Sequence, residues 1–456
     1  MKIFDRIFRR QTRPQRVRRL DGAAGGRRGF GMGSFGRING EVGAAGATLA
    51  SRSAYLVENN PLIANAIGNL VGETIGSGIR PSPRTANADL ITRFDLWWDV
   101  CDADARTDFA GIQVGVDRDV KVRGEAFVQM LDTPDGLRLR QLDVEQVDRN
   151  LTRELGNGAA IVQGVELDTD GRRVAYWIMP FREAAFAGYA PAERVDAAYI
   201  LHVFRPVAPG QVRGLPWTTS IVLAASEFDK LTDALLMGVS VAAMHAGFIV
   251  DANAQGEPFD GDMGDVSLEP GVIRRLPFGT DIKFNAPQNA QQTGEFVKAQ
   301  IRSLAAGMGV PAFMLDGDLT GANYSSLRAG LLPFRRRVEQ YQYSVLVPQL
   351  LGPIWRRWCA HEYLNERADT AEIPVEWIMP KPLQVDPAKD VDADLAEIEA
   401  GLASRRQKVA ARGWSVEALD AEIAADRERE ARFGLSFGAT ASPAVNPVEK
   451  EPPSDA

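Results

Sequence analysis

The sequence has little of what metal and redox chemistry needs. Its 456 residues include two cysteines, Cys101 and Cys359, and three histidines, His202, His245 and His361. Two cysteines cannot build a disulfide framework, so a reducing compartment is the default. The histidines lie far apart, and no pair has the spacing of a metal-binding helix or finger. No Gly-Lys-Ser or Gly-Lys-Thr occurs, which removes the Walker A phosphate loop. A Gly-x-Ser-x-Gly elbow and a His-Glu-x-x-His zinc motif are also missing. The most apolar stretch, 234–250, is shorter than the roughly 20 residues of a membrane span and contains His245. It reads as a buried helix running into a strand. The amino terminus lacks the apolar core of a secretory signal.

What is present is an ordinary soluble composition, 45% hydrophobic and 25% charged, with length for about three folding units. The net charge of −8 is uneven. Residues 1–28 hold ten Arg or Lys against two Asp, a net of +8, which leaves the rest of the chain at −16. An acidic body disfavours tight, static binding to nucleic acid but not a surface past which nucleic acid slides. Residues 1–50 read as a flexible basic arm with a Gly- and Ala-rich linker, and 437–456 as a disordered tail.

Between these ends the pattern is α+β. Asn60-Pro61 starts a helix, with Ile63, Ile67, Leu70, Val71 and Ile75 on one face and Gly76–Gly78 as its end. Two more helices are predicted at 88–101 and 109–122. Alternating residues then give hairpins at 126–131 with 137–142 and at 161–167 with 173–179, and a strand at 199–204. Helix returns from 216 to about 245, strands over 268–287, and helices near 294–308 and 324–347. The last part, 387–433, reads as short helices stopped at Gly401 and Gly413. Ser404 with Gln407 has capping-box spacing, and Ser415 is placed to cap the final helix.

Three clusters invite a chemical reading. The glycine-rich run 72–78 lacks a phosphate-binding lysine and reads as a helix end. Asp386, Asp390, Asp392 and Asp394 have a composition that could hold Mg²⁺, but a solvated acidic helix N-terminus accounts for them better. Asp168 and Asp170 beside Gly171 lack the closing glutamate of a calcium loop and read as a hairpin turn. No catalytic residue, metal site or cofactor is assigned, and the chain is read as a non-enzyme.

The run Asn323-Tyr324-Ser325-Ser326-Leu327-Arg328 resembles the signature of the lambda-type family of tailed-bacteriophage portal proteins, the head–tail connector rings. Other blocks agree in order. They are Arg123–Phe127, Gly164–Glu166 with Asp170–Arg172 and Ala175-Tyr176, Gly210–Pro216, Leu268–Gly271, Met308–Pro311, Val385–Lys389, and Gly401-Leu402 with Ser404-Arg405. The resemblance spans about residues 50–435 and departs from the family pattern at Trp177.

The resemblance implies a portal fold: an α/β wing over 51–215, stem helices and a small β-containing clip over 216–311, and a tunnel loop with a kinked tunnel helix over 312–347. A return to the wing over 348–387 and a helical crown over 388–436 follow. It implies a ring, typically of twelve copies, at the unique capsid vertex of the virion, assembled in the host bacterial cytoplasm. Double-stranded DNA passes through the ring during packaging and ejection. The partners implied are the terminase large subunit, head-completion or adaptor proteins, and the major capsid or scaffolding protein, with no membrane. Two other classes compete with this reading. A DNA-processing enzyme is separated by ATPase or nuclease activity, and another virion structural or adaptor protein by the absence of a channel-bearing ring.

Within the predicted tunnel segment, Leu327, Leu331, Phe334, Val338, Tyr341 and Val345 are spaced 4, 3, 4, 3, 4 and share one helix face. Pro333 should kink that helix near 329–333. Asp316, Asp318 and Thr320 fall in the tunnel loop 315–322. Arg328, Arg335, Arg336 and Arg337 are expected near the channel or a subunit interface. The competing expectation for the arginines is pairing with acidic neighbours only.

Overall fold

The computed structural model describes residues 35–85, 87–180, 191–244, 247–249, 273–275, 290–320, 323–380 and 387–435. Most of the basic arm, most of the predicted clip strands and the carboxy-terminal tail lie outside these residues.

The fold begins with helix α1, Ile38–Asn59, followed at once by α2, Pro61–Ile75. Asn60 separates them because its side chain accepts from the Ile63 amide at 3.0 Å, capping α2 as its sequence foretells. Helix α1 corrects the reading of 1–50 as a loose arm over residues 38–50. Its sequence is rich in Gly and Ala, but Val42 and Gly46 are buried and Leu56 and Val57 enter a core. Tertiary packing overrides weak local propensity here.

Strand β1, Arg80–Pro83, pairs antiparallel with the distant β12, Val375–Ile378. Helices α3, Ala88–Val100, and α4, Phe109–Val122, are capped by the side chains of Asn87 and Asp108. The β region follows as anticipated. Strands β2, Glu125–Thr133, β3, Gly136–Leu142, and β9, Ile200–Phe204, form one antiparallel sheet in the order β3-β2-β9. Strands β4, Arg153–Gly156, β5, Ala159–Val162, β6, Val165–Leu167, β7, Arg173–Ile178, and β8, Glu193–Asp196, form a five-stranded meander. The predicted strand 161–167 is split in two at Gln163-Gly164, both with positive φ (50° and 81°). The hairpin at 168–171 is closed by Asp168, whose carboxylate accepts from the amides of Asp170 and Arg172.

Helix α5, Val222–Met244, leads to β10, Gly247–Ile249, which pairs in parallel with β11, Ile273–Arg275. Helix into strand is as expected, but the helix is buried only at its start, around Val222, Ala225 and Phe228. Leu236, Met237 and Val239 are 65%, 64% and 59% exposed. Helix α6, Ala290–Met308, and the single-turn α7, Phe313–Asp316, precede α8, Tyr324–Tyr341. Helix α8 runs through Pro333 into a π-helical segment, Gln342–Leu351, and then into α9, Gly352–Leu364. The predicted boundary at 347 therefore falls inside one continuous helical rod. Helices α10, Pro387–Glu399, α11, Arg405–Ala411, and α12, Val416–Phe433, complete the described chain. The Ser404–Gln407 capping box is formed. Ser415 sits at the N-cap of α12, but its hydroxyl donates to Glu417 instead of capping the backbone.

Three hydrophobic cores result. The first gathers α3, α4, β2, β3, β9, the π segment and α9 around Phe94, whose ring meets Trp355 and Trp358 edge-on at 5.1 and 5.0 Å. Burial pushes the thiols of Cys101 and Cys359, both in this core, up to about 12, which disfavours the thiolate form. The second core packs α1 and α2 against the start of α5, α6, α7 and α8. The third lies between the two larger sheets, around Phe127, Val147 and Tyr176.

Candidate functional site

The described part of the loop, 316–320, is built by short polar side chains folding back on their own backbone. Gly317, in the left-handed region at φ 71°, closes α7. Asp316 accepts from the Asp318 amide at 3.0 Å, and Asp318 from the Thr320 amide at 2.8 Å and from the Thr320 hydroxyl. These nested turns stiffen the predicted loop residues. Lys298 on α6 lies 3.8 Å from Asp318. Asn65 and Asn69 on α2 donate to the carbonyls of Met314 and Leu315, so the root of the loop is clamped to a helix whose other face is in a core. Sequence reasoning passed over both asparagines, although their i, i+4 spacing on α2 puts them on one face. Residues 321–322 of the predicted loop lie outside the described residues.

The signature run has a concrete local role. Asn323 accepts from the Ser326 amide at 2.9 Å, and the Ser326 hydroxyl accepts from the Asn323 amide at 3.0 Å. This reciprocal pair starts α8 at a fixed residue. Ser325 is exposed beside it. The apolar stripe is as expected: Leu327 and Leu331 are half-buried, and Phe334, Val338, Tyr341 and Val345 are buried.

The arginines do not form one cluster of equivalent side chains. Arg328 is exposed and 3.8 Å from Asp390 on α10, joining the start of α8 to the C-terminal helices. Arg337 donates to the Gly309 carbonyl at 3.1 Å. Arg335 is half-buried and Arg336 exposed. The acidic run of α10 is likewise more than a solvated helix start. Asp390 faces Arg328, and Asp394 pairs with Lys408 at 2.9 Å and Arg412 at 2.7 Å, which hold its carboxyl below the usual range. Asp386 lies outside the described residues.

Two charge clusters elsewhere in the fold are buried, and neither was legible as a motif. Lys121 and Asp117 pair in full burial on α4, with the Lys121 ammonium 3.1 Å from the Thr74 hydroxyl and 4.9 Å from the Tyr341 ring centre. Burial pushes Asp117 up and Lys121 down, both toward neutrality. The second cluster joins two of the sequence blocks. Glu125 and Arg213 are fully buried, and Arg213 Nε lies 2.9 Å from both Glu125 oxygens. Arg149 and His202 also contact Glu125. The neighbouring glycines are equally constrained: a Cβ on Gly214 would fall 2.0 Å from the Gly124 carbonyl oxygen. Blocks 123–127 and 210–216 are therefore one backbone-to-backbone junction sealed by a buried ion pair. Burial raises the Glu125 pKa, but Arg213, His202 and Arg149 outweigh it and hold it well below the carboxylate range. Burial pushes His202 down to about 4 against the pull of Glu125.

Among the described residues no group of three or more His, Cys, Asp or Glu could hold a metal ion, and no helix is long and apolar enough to cross a membrane. Among the described residues several large apolar side chains are exposed on neighbouring helices, including Leu223, Leu236, Met237 and Val239 on α5 and Phe296 on α6.

Comparison with known proteins places these features in a family. The family described as phage portal protein, lambda family, matches residues 32–342. The chain is 27% identical over 336 residues to a Halomonas phage phiHAP-1 protein named "Probable portal protein", a match covering 68% of this chain and 64% of that protein. It is 25% identical to portal protein B of Escherichia phage lambda over 86% of each chain. Among solved structures, a chain in the neck of a native GTA particle shares 17% identity at a TM-score of 0.40, covering 81% of this chain and 93% of that one.

Proposed function

The chain belongs to the lambda family of phage portal proteins, and from that premise we propose that it is one subunit of a closed, channel-bearing ring at the capsid vertex. The observation that carries the ring is α5. Its residues Leu236, Met237 and Val239 are exposed in the single chain, and the sequence has no charged residue between Asp233 and Asp251. A helix apolar over most of its circumference is covered in the working state. A heterologous contact repeated around a rotation axis covers it in every copy and closes.

In this reading twelve copies surround double-stranded DNA as it enters and leaves the particle. The segment 315–337 stands beside the channel, with Asp316, Asp318 and Thr320 in the loop and Arg328 and Arg335–Arg337 on the helix behind it. The ring docks the terminase large subunit during packaging and head-completion or adaptor proteins afterwards, and is seated among major capsid or scaffolding subunits. Assembly takes place in the host cytoplasm, and the ring performs no catalysis of its own. The net of −16 over residues 29–456 disfavours tight, static binding of phosphates, which suits a conduit. The test is sedimentation and electron microscopy of the purified chain. Rings with an axial opening support the reading, and a monomer under all salt conditions overturns it.

A further inference from the structure

The rod of residues 324–364 passes through two cores. Leu331, Phe334 and Val338 pack in the core of α1, α2, α5 and α6, whereas Val345, Leu350, Ile354, Trp355 and Trp358 pack in the core of α3, α4 and β2. Its apolar stripe changes step between them. Up to Val345 the steps alternate between 4 and 3, but the buried pair Val345-Leu346 is followed by the buried pair Leu350-Leu351 at a step of 5, and then by Ile354-Trp355 and Trp358-Cys359 at steps of 4. In an α-helix a step of five residues overshoots a full turn by roughly 140°. It would aim α9 away from its core.

The chain absorbs the extra residue at that point. Residues Gln342–Leu351 are π-helical, and the Gly352 amide donates to the carbonyl of Val347, five residues back. Such turns hold more residues and mostly occur singly, often at functional sites. Here the wide winding spans ten residues. Pro348 lies inside it and is exposed. A proline in an α-helix would meet the carbonyl four residues back, and the wider winding relieves that clash. Both flanks are tied down. Gln342 donates to the Thr74 carbonyl at 2.7 Å, and the Phe204 amide donates to Gln349 at 2.9 Å.

We propose that Gln342–Leu351 is an adjustable phase joint. It stores one surplus residue, which lets the half carrying Arg328 and Arg335–Arg337 change its tilt against α9 while each half keeps its own core. The consequence for DNA passage rests on the portal reading above. Removing the surplus residue leaves a step of 4 in place of 5, so both cores stay satisfied and the rod becomes α-helical throughout, but the adjustment is lost.

Three variants of the full-length chain test this. Deletion of Pro348 should still give rings, melting within a few degrees of wild type, while DNA packaged in a defined reaction falls at least about tenfold. Deletion of the exposed Arg356 removes a residue where none is surplus and should abolish folding and rings. Pro348→Ala keeps the surplus residue and should assemble and package normally. The proposal is overturned if the Pro348 deletion fails to assemble or packages normally, if the Arg356 deletion is tolerated, or if Pro348→Ala loses packaging with rings intact. A wild-type chain that neither forms rings nor packages would defeat the portal reading instead, so the two failures are distinct.

Discussion

Glu125 is fully buried and remains ionised because Arg213, Arg149 and His202 surround it. Its folded pKa is depressed, so its contribution to stability is present above the unfolded value near 4.5 and is lost as pH falls through the folded one. His202 acts in the same direction. Its pKa drops from 6.5 to about 4, so the unfolded chain binds its proton first and stability declines as pH falls from about 6.5 to 4. The His202 shift corresponds to at most about 3 kcal/mol. Urea unfolding between pH 7 and pH 4 should show this slope, and His202→Gln should flatten it. An unchanged slope would remove His202 from the account. The arginines proposed to stand beside the channel make a second residue-scale prediction. Replacing both side chains, Arg335→Ala with Arg336→Ala, should leave rings intact and lower packaging by roughly tenfold, because phosphate attraction is lost while the buried stripe is kept. Normal packaging by that double variant would return the arginines to structural pairing.

At the scale of elements, the start of α8 shows why a signature run can be recognised without revealing its purpose. Asn323 and Ser326 form a capping box, and a lost N-cap costs about 1 kcal/mol. Asn323→Ala should therefore speed amide exchange in the first turn of α8 roughly fivefold, with Asn323→Asp close to wild type, and equal exchange in both variants would contradict the capping role. Elements with strong local punctuation were legible in the sequence: α2 from Asn60-Pro61, α4 from Phe109 to Val122, β2 and β3 around Pro134-Asp135-Gly136, and α11 from Ser404. Elements fixed by distant partners were not. Helix α1 depends on burial of Val42, Leu56 and Val57, and β1 depends on a partner strand almost three hundred residues away. The surplus residue between Val345 and Leu350 was in the sequence, but a stripe followed only to Val345 does not reach it. The buried ion pairs were invisible because burial, not spacing, sets their character.

For the whole molecule, the single chain leaves Leu236, Met237 and Val239 of α5 exposed, and in the proposed ring a neighbouring copy covers them. A carboxylate placed there should cost several kcal/mol per contact in the assembled state and little in the separate subunit. Met237→Glu should therefore shift the chain from rings to monomers with an unchanged melting temperature of the monomer, as read by analytical ultracentrifugation and calorimetry. Rings unaffected by that substitution would place the contact elsewhere. The most direct test of the central claim is an electron cryomicroscopy reconstruction of the purified full-length chain. The account predicts a closed ring with an open axial channel, α5 buried between neighbouring copies and residues 315–337 beside the channel. A monomer, or a ring that carries 315–337 on its outer rim, would contradict it.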